Sequence, residues 1–328
     1  MRIRVPATSA NVGPGFDTMG IALALYNSFD LEVSDTLRIS GCDDEFANAD
    51  NLFYKAYKFA CAEMGVLAPE IDLKIHAEIP VTRGLGSSAA MIVGGVCAAA
   101  AIARVSCFSL AAPGDAGLLT DGHSGVFSFD NEELKKILEI AASLEGHPDN
   151  ASPAVFGGYQ VSIADYPEDG GLPKIERAGF SVDEDLIFNA LVPSFMLETK
   201  KARAVLPHEI SRRDAVFTSG HAVLTALAFA SHSYESLASA CKDVLHQPYR
   251  KALIPGWDEI VEACASSGAL AVWLSGAGPT IVALTRKDSL DSLPGIDSAL
   301  EIIGKKTGHS WKRMQLSADN MGVTVEFA

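Results

Sequence analysis

Positive charge is in short supply in this sequence. Against 41 Asp and Glu stand 26 Lys and Arg, a net charge of −15 over 328 residues. Nucleic acid is therefore not an expected partner, because such binding rests on neutralising phosphates with Lys and Arg. A small anionic ligand stays open, since its site needs only a few local donors. Cysteine is sparse too. The six lie at positions 42, 61, 97, 107, 241 and 264. None form C-x-x-C and none sit beside histidines at zinc spacing, so buried free thiols in a reducing compartment are expected. A membrane span is also not expected. The longest apolar run, Ala89 to Ala103, is rich in Gly and Ala and shorter than the roughly 20 residues a bilayer requires. Met1 to Pro6 lacks the apolar run of a signal peptide, and the cytoplasm is the expected location. There is no internal repeat and no low-complexity segment.

The 48% hydrophobic and 20% charged fractions are those of an ordinary globular protein with a sizeable core. The length favours two domains or one large one. The most informative stretch is Arg83-Gly84-Leu85-Gly86-Ser87-Ser88-Ala89-Ala90. A strand pattern, Ile71 to Ile79, precedes it, and a helix pattern, Ser87 to Arg104, follows. Two glycines permit positive φ and leave no Cβ before a bulky ligand. The opening turn of a helix offers unpartnered N–H groups beside the positive end of its dipole, a combination that suits phosphate. The serine hydroxyls can add bonds to phosphate oxygens or a metal ion. A tight turn with Ser87 as helix cap is the bland alternative. The loop lacks the Lys of a Walker A loop and the third glycine of a dinucleotide fingerprint, so it is a phosphate loop of another kind.

Elsewhere, Arg2–Val5 reads as a short strand leading into a polar loop, Pro6 to Asp17, in which Asn11 and Asp17 are either turn-formers or ligand groups. Periodicity predicts helices over 51–64, 131–144, 212–230, 234–245, 257–267 and 297–306, and strands over 21–33, 186–192, 269–274, 281–284, 310–316 and 322–327. Gly94 and Gly95, inside the 87–104 helix, imply close packing against a neighbour. Glu139 falls opposite the expected stripe of Leu134, Ile137, Leu138, Ala141 and Leu144, which alone suggests a solvated glutamate. Residues 107–130 read as a surface insertion outside the site. Pro167 to Gly171 suggests a domain boundary. Ser275-Gly276-Ala277-Gly278-Pro279-Thr280 is a second glycine loop.

Pro6-Ala7-Thr8-Ser9-Ala10-Asn11-Val12-Gly13-Pro14-Gly15-Phe16-Asp17, the Gly84–Ala90 loop and the Ser275–Thr280 loop, in that order, resemble the signature stretches of the GHMP kinases. The likeness covers nearly the whole chain, apart from residues 107–130. It implies a two-domain α+β fold. Residues 1–165 would form a nucleotide-binding domain of the ribosomal protein S5 domain 2-like type, and residues 166–328 a ferredoxin-like domain. It implies ATP and Mg²⁺, with Arg83, Gly84, Leu85, Gly86, Ser87 and Ser88 around the phosphates and Asn51 near the base. Ser88 and Glu139 would hold the metal. Glu145-Gly146-His147-Pro148-Asp149-Asn150, Thr199-Lys200-Lys201-Ala202-Arg203 and Arg250 are similar to the members that phosphorylate L-homoserine on the way to threonine. For these the amino-acid pocket would be Asn11, Asp17, His147, Asn150, Arg203 and Arg250, with Thr199 near the transferred phosphate. Related members place an aspartate where Asn150 falls. Either no dedicated base exists and Asn150 orients the hydroxyl, or Asp149 serves. The likeness leaves a homodimer as one option for assembly. The rival readings are a kinase of another alcohol, such as mevalonate, and a non-catalytic ligand-binding relative.

Overall fold

A long antiparallel pair begins the chain. β1 (Arg2–Ala10) lies against β2 (Met19–Ser34), with a register shift between Pro6 and Ala7. Proline cannot donate to a ladder, so a bulge there is its natural accommodation. Beyond it the strand continues fully buried to Ala10. The connecting loop is therefore shorter than the sequence suggests and starts at Asn11. The structure is a computed structural model and describes residues 1–111, 125–287 and 293–327.

The first half continues with β3 (Arg38–Ser40), α1 (Leu52–Glu63), β4 (Glu70–Ala77), α2 (Ser87–Ala111), β5 (Gly125–Phe127), α3 (Asn131–Glu145), α4 (Ala151–Phe156), β6 (Tyr159–Asp165) and β7 (Lys174–Phe180). The second half holds β8 (Leu186–Pro193), α5 (Thr199–Ala204), α6 (Arg212–Ala230), α7 (Leu237–Ala240), α8 (Gln247–Arg250), α9 (Trp257–Ser266), β9 (Ala271–Leu274), β10 (Ile281–Arg286), α10 (Ile296–Thr307), β11 (Trp311–Leu316) and β12 (Thr324–Phe327). One sheet runs β3-β4-β2-β1-β12-β5, with β6 on β2 and β7 on β6. The other runs β11-β8-β10-β9. Mixed helix and sheet in two sheets is the α+β architecture expected.

The expected boundary between residues 165 and 166 falls inside the β6–β7 hairpin, whose strands pair from Tyr159 with Phe180 to Asp165 with Lys174. The chain crosses to the second sheet only after Phe180. It then returns, because β12 pairs with β1 and β5. The division is therefore not a single cut in the sequence.

α2 is the central helix. A Cβ on Gly95 would lie 2.3 Å from the Phe53 carbonyl oxygen of α1, and one on Gly94 2.7 Å from the Phe29 ring. The two mid-helix glycines thus permit the close approach that their cost implied. The helix runs to Ala111, further than Arg104. Its Ser87–Arg104 part is long and apolar enough to cross a membrane, but 72% of it is buried inside the fold. Burial, rather than shortness, marks it as a core helix. Of the expected insertion, residues 112–124 lie outside the described residues, while β5 joins the first sheet.

α3 begins in a capping box: the Asp130 side chain accepts from the Glu133 backbone and the Glu133 side chain accepts from the Asp130 backbone. Its buried face is Ile137, Leu138, Ile140, Ala141 and Ala142, rotated away from Leu144, which is exposed. The helix expected over 234–245 is cut to a 3₁₀ turn and the four residues of α7. Asp243 ends it by accepting the N–H groups of Leu245, His246 and Gln247.

Candidate active site

Three loops from distant parts of the sequence meet where the two sheets abut. The phosphate-loop candidate enters through Gly84 and Gly86, at φ 78° and 73°. A Cβ on Gly84 would sit 2.4 Å from the Ser275 carbonyl oxygen, and one on Gly86 2.0 Å from Thr8 Oγ1. Both glycines are demanded by φ and by the two neighbouring loops at once. With one proton per hydroxyl, a buried chain of bonds ties the loops together: Trp273 Nε1 donates to Ser9, Ser9 to Ser275, and Ser275 to the Gly84 carbonyl. Gly276 N donates to Ala10 O, and Asn11 Nδ2 donates to Gly276 O.

The first loop carries backbone strain. Asn11, Val12 and Asp17 adopt φ of 69°, 41° and 58°. Asn and Asp tolerate this region, but it is costly for a β-branched valine. The conformation is held by the Asn11 side chain, whose Oδ1 accepts from Asp17 N at 3.0 Å. Asp17 is thereby aimed at Arg203, which it meets through two bonds of 2.7 and 3.0 Å. Arg203 stands on α5, reached directly from the end of β8.

On the other flank, α3 ends at Glu145, and Gly146 in the left-handed region turns the chain into His147-Pro148-Asp149-Asn150. Asp149 is 2% exposed. Its Oδ1 accepts from His147 Nδ1 at 2.5 Å and from Asn150 Nδ2 at 3.1 Å. Asn150 Oδ1 accepts from Thr8 Oγ1 at 2.7 Å. Burial alone would lower the His147 pKa, but the bond to Asp149 and the charges of Asp149, Asp17 and Glu145 lift it to about 9. His147 is thus an imidazolium at neutral pH. One ligand-type atom each from Asp17, His147 and Asp149 lie within 4.8 Å of one another.

Arg250 is 1% exposed. Its Nε donates to Ala202 O, and its Nη1 to Gly276 O and His246 Nδ1. Nη2 has no hydrogen-bond partner among the described residues. Burial and the nearby Arg203 lower its pKa to about 10. The guanidinium carbons of Arg203 and Arg250 lie 5.4 and 5.2 Å from the centre of the Phe16 ring, whose face partly shields the two cations.

Several expected roles change in the structure. Ser88 Oγ donates to Glu145 Oε1 at 2.6 Å, so Glu145, not Glu139, faces the hydroxyl proposed as a metal ligand. Glu139 lies six residues earlier on the same helix, roughly 9 Å along the axis and about 120° around it. Burial raises the Glu145 pKa, while the Ser88 bond opposes the rise. A half-buried carboxylate beside a hydroxyl is a suitable pair of hard oxygen ligands for Mg²⁺. Arg83 does not face the phosphate loop's mouth. Its donors end on the carbonyls of Pro193, Ser194 and Val81, pinning the loop to the end of β8. Asn51 caps α1, accepting from Phe53 N and Tyr54 N and donating to Phe46 O. That places its side chain in helix capping rather than base recognition. Leu85 is fully buried and can contribute only backbone. Thr199 is the exposed first residue of α5. Thr8, Phe16, Glu145 and His246 were not singled out by sequence reasoning. Only Glu145, next to the His-Pro-Asp-Asn turn, carried a usable signal.

The fold, the glycine loop at the start of a buried helix and the joined loops define a class of small-molecule kinase. Residues 51–112 match the GHMP kinases N terminal domain and residues 225–304 match the GHMP kinases C terminal. The chain belongs to this family. It is 40% identical over 325 residues to the homoserine kinase of Clostridium beijerinckii, covering 98% of this chain and 97% of that one. It is 39% identical over 326 residues to the homoserine kinase of Clostridium botulinum strain Okra, covering 99% and 98%. Among solved structures, the homoserine kinase of Cytophaga hutchinsonii superposes with a TM-score of 0.76 at 25% identity, covering 99% of this chain and 97% of that one.

Proposed function

We propose that this chain transfers the γ-phosphate of ATP to the side-chain hydroxyl of L-homoserine, giving O-phospho-L-homoserine and ADP. One observation carries the reading. A single line of contacts, from Gly86 through Thr8, Asn150 and Asp149 to His147, joins the phosphate loop to a pocket built for a zwitterion. Phosphoryl transfer needs little more from the protein than such juxtaposition and charge stabilisation.

The N-terminal turn of α2 and the backbone of Gly84 to Ser88 cradle the phosphates. Ser88 and Glu145 would hold Mg²⁺, which would supply charge neutralisation at the phosphate oxygens. Arg250 presents Nη2 to the substrate carboxylate, a role suited to a guanidinium held rigid by its other donors. Asp17 and Arg203 neutralise each other in the structure. An arriving zwitterion offers each a replacement partner, ammonium for Asp17 and carboxylate for Arg203. The His147 imidazolium adds a positive charge beside the same carboxylate. Thr199 lies near the transferred phosphate. Asn150 orients the hydroxyl. Its oxygen attacks phosphorus as the bond to the ADP oxygen breaks, and its proton leaves late, to the transferred phosphate. In this reading Asp149 holds His147 and Asn150 in place through its Oδ1 rather than taking the proton.

The test is ADP release with ATP and Mg²⁺ in the presence of L-homoserine, mevalonate, L-threonine, L-serine or no acceptor. Turnover confined to L-homoserine is expected. Turnover with mevalonate would keep the phosphate half and overturn the amino-acid half.

A further inference from the structure

Besides the Ala202 and Gly276 carbonyls, Arg250 hydrogen-bonds to one side chain among the described residues, His246. His246 is fully buried at the start of α8. Its Nε2 lies 2.7 Å from the carbonyl oxygen of Gly13, and its Nδ1 lies 3.3 Å from Arg250 Nη1. A carbonyl only accepts and a guanidinium only donates. These two partners therefore fix the ring as the neutral tautomer with hydrogen on Nε2 and a lone pair on Nδ1. A proton on Nδ1 would face the Arg250 cation with nothing to receive it.

Gly13 lies in the strained first loop that also carries Asp17. A Cβ at Gly13 would fall 2.6 Å from the Cys241 carbonyl oxygen, so this loop is pressed against the segment that carries His246. The Phe16 ring lies 5.3 Å from the imidazole. His246 thus links the loop that orients Asp17 to the arginine that awaits a carboxylate. We propose that His246 is a positioning residue of the substrate site: as the Nε2–H tautomer it hangs the Arg250 guanidinium from the first loop and thereby sets the spacing between the ammonium and carboxylate grips. The proposal rests on reading the pocket as an α-amino-acid site.

Three charged groups face the ring. Arg250 opposes a second positive charge. Asp243, with Oδ2 3.5 Å from Nε2, and Asp17 favour one. Burial outweighs the two carboxylates and lowers the His246 pKa, in keeping with the neutral form. The carboxylate of Asp243 is already committed to three backbone N–H groups. This histidine therefore differs from His147, which is charged in the same pocket.

Two substitutions separate its two bonds. His246→Asn can place an amide oxygen near the Nδ1 position and keep the acceptor for Arg250. His246→Gln can reach Gly13 with its amide N–H and loses that acceptor. Either variant cuts the link between Gly13 and Arg250, so each is expected to raise KM for L-homoserine about tenfold, with KM for ATP within about twofold in both. In an Arg250→Ala background His246→Gln should add no further factor, since its effect passes through that arginine. A full effect of His246→Gln without Arg250, an unchanged KM for L-homoserine in either variant, or a parallel rise in KM for ATP would overturn the proposal. Ring ¹⁵N NMR of the wild type is a second test that needs neither variant folding nor turnover. A lone-pair Nδ1 and a protonated Nε2, unchanged from pH 6 to 8, are expected. A proton on Nδ1 in that range overturns it. If the wild type does not turn over L-homoserine, the activity reading falls, and the NMR result still decides the tautomer.

Discussion

Ser88 Oγ and Glu145 Oε1 are 2.6 Å apart, one at the first turn of α2 and the other at the last residue of α3. The contact places a carboxylate directly beside the Gly84–Ser88 loop. It also separates two glutamates that the helix pattern alone does not distinguish. Glu145→Gln keeps the shape and removes the charge. Loss of a metal ligand forfeits several kcal/mol of charge stabilisation, so kcat is expected to fall about 10²-fold or more, with a higher Mg²⁺ concentration at half-maximal rate. Glu139→Gln should remain within about twofold of wild type on both measures. A Mg²⁺ titration of the three proteins checks this, and the opposite ranking would return the metal to Glu139.

Asp17 and Arg203 form a two-point ion pair across 186 positions of sequence, with both side chains roughly a third exposed. In an empty pocket this pair gains little net stability, because exposed ion pairs contribute about 0–1 kcal/mol. In the bound state each partner has a substrate charge to meet, worth about 1.5–3 kcal/mol for a charged hydrogen bond. Asp17→Asn and Arg203→Ala are accordingly expected to raise KM for L-homoserine about 10- to 100-fold, while KM for ATP stays within about twofold. Thermal midpoints should move little. Steady-state kinetics with each substrate varied in turn, beside a melting curve, tests both parts.

His147 makes a pH-dependent contribution whose sign follows from its raised pKa, about 9 in the folded protein. The ordinary histidine value is about 6.5. A group held above its unfolded pKa binds its proton more tightly in the folded state, so its stabilisation is complete below about pH 6.5 and is lost as pH rises through about 9. The gap in thermal midpoint between wild type and His147→Gln should therefore be largest near pH 6 and should close by about pH 9.5. A gap that widens with pH would mean that the ring is neutral when folded. Over the same upper range KM for L-homoserine should rise more steeply in the wild type than in the variant, where only the substrate's own ammonium titrates.

Those parts of the candidate site that are local in sequence are legible in it. Gly84, Gly86 and the helix behind them form one contiguous pattern, and the His-Pro-Asp-Asn turn announces itself by composition. The structure departs from the sequence reading where placement depends on which turn of a helix meets a distant loop. Glu139 and Glu145 share one helix, and only the packing of α2 against α3 decides between them. Arg83 precedes the glycine loop, but its fork is spent on Pro193 and Ser194, over 100 positions away. The longer strands and helices were legible one by one from their own periodicity, whereas the short β3, β5, α4, α5 and α8 and the β6–β7 hairpin were not. The return of β12 to β1 was not, because no local pattern tells a strand which edge to join.

The contact between Gly86 and Thr8 yields the last prediction. A methyl at Gly86 would sit 2.0 Å from Thr8 Oγ1, at a φ of 73° that already disfavours a side chain. The conformational part costs about 1–2 kcal/mol. Relief of the clash moves Thr8, and with it the hydroxyl that holds the Asn150 amide. Gly86→Ala should thus lower kcat as well as stability, although the residue belongs to the phosphate loop. Thr8→Val isolates the second consequence: it keeps the shape, leaves Gly86 alone and removes the donor to Asn150 Oδ1. If Asn150 must be held to orient the hydroxyl, Thr8→Val loses about tenfold or more in kcat with KM for ATP nearly unchanged, and Thr8→Ser recovers most of it. A Thr8→Val enzyme with full kcat would show that Asn150 needs no such support, and the decline in Gly86→Ala would then belong to the phosphate loop alone.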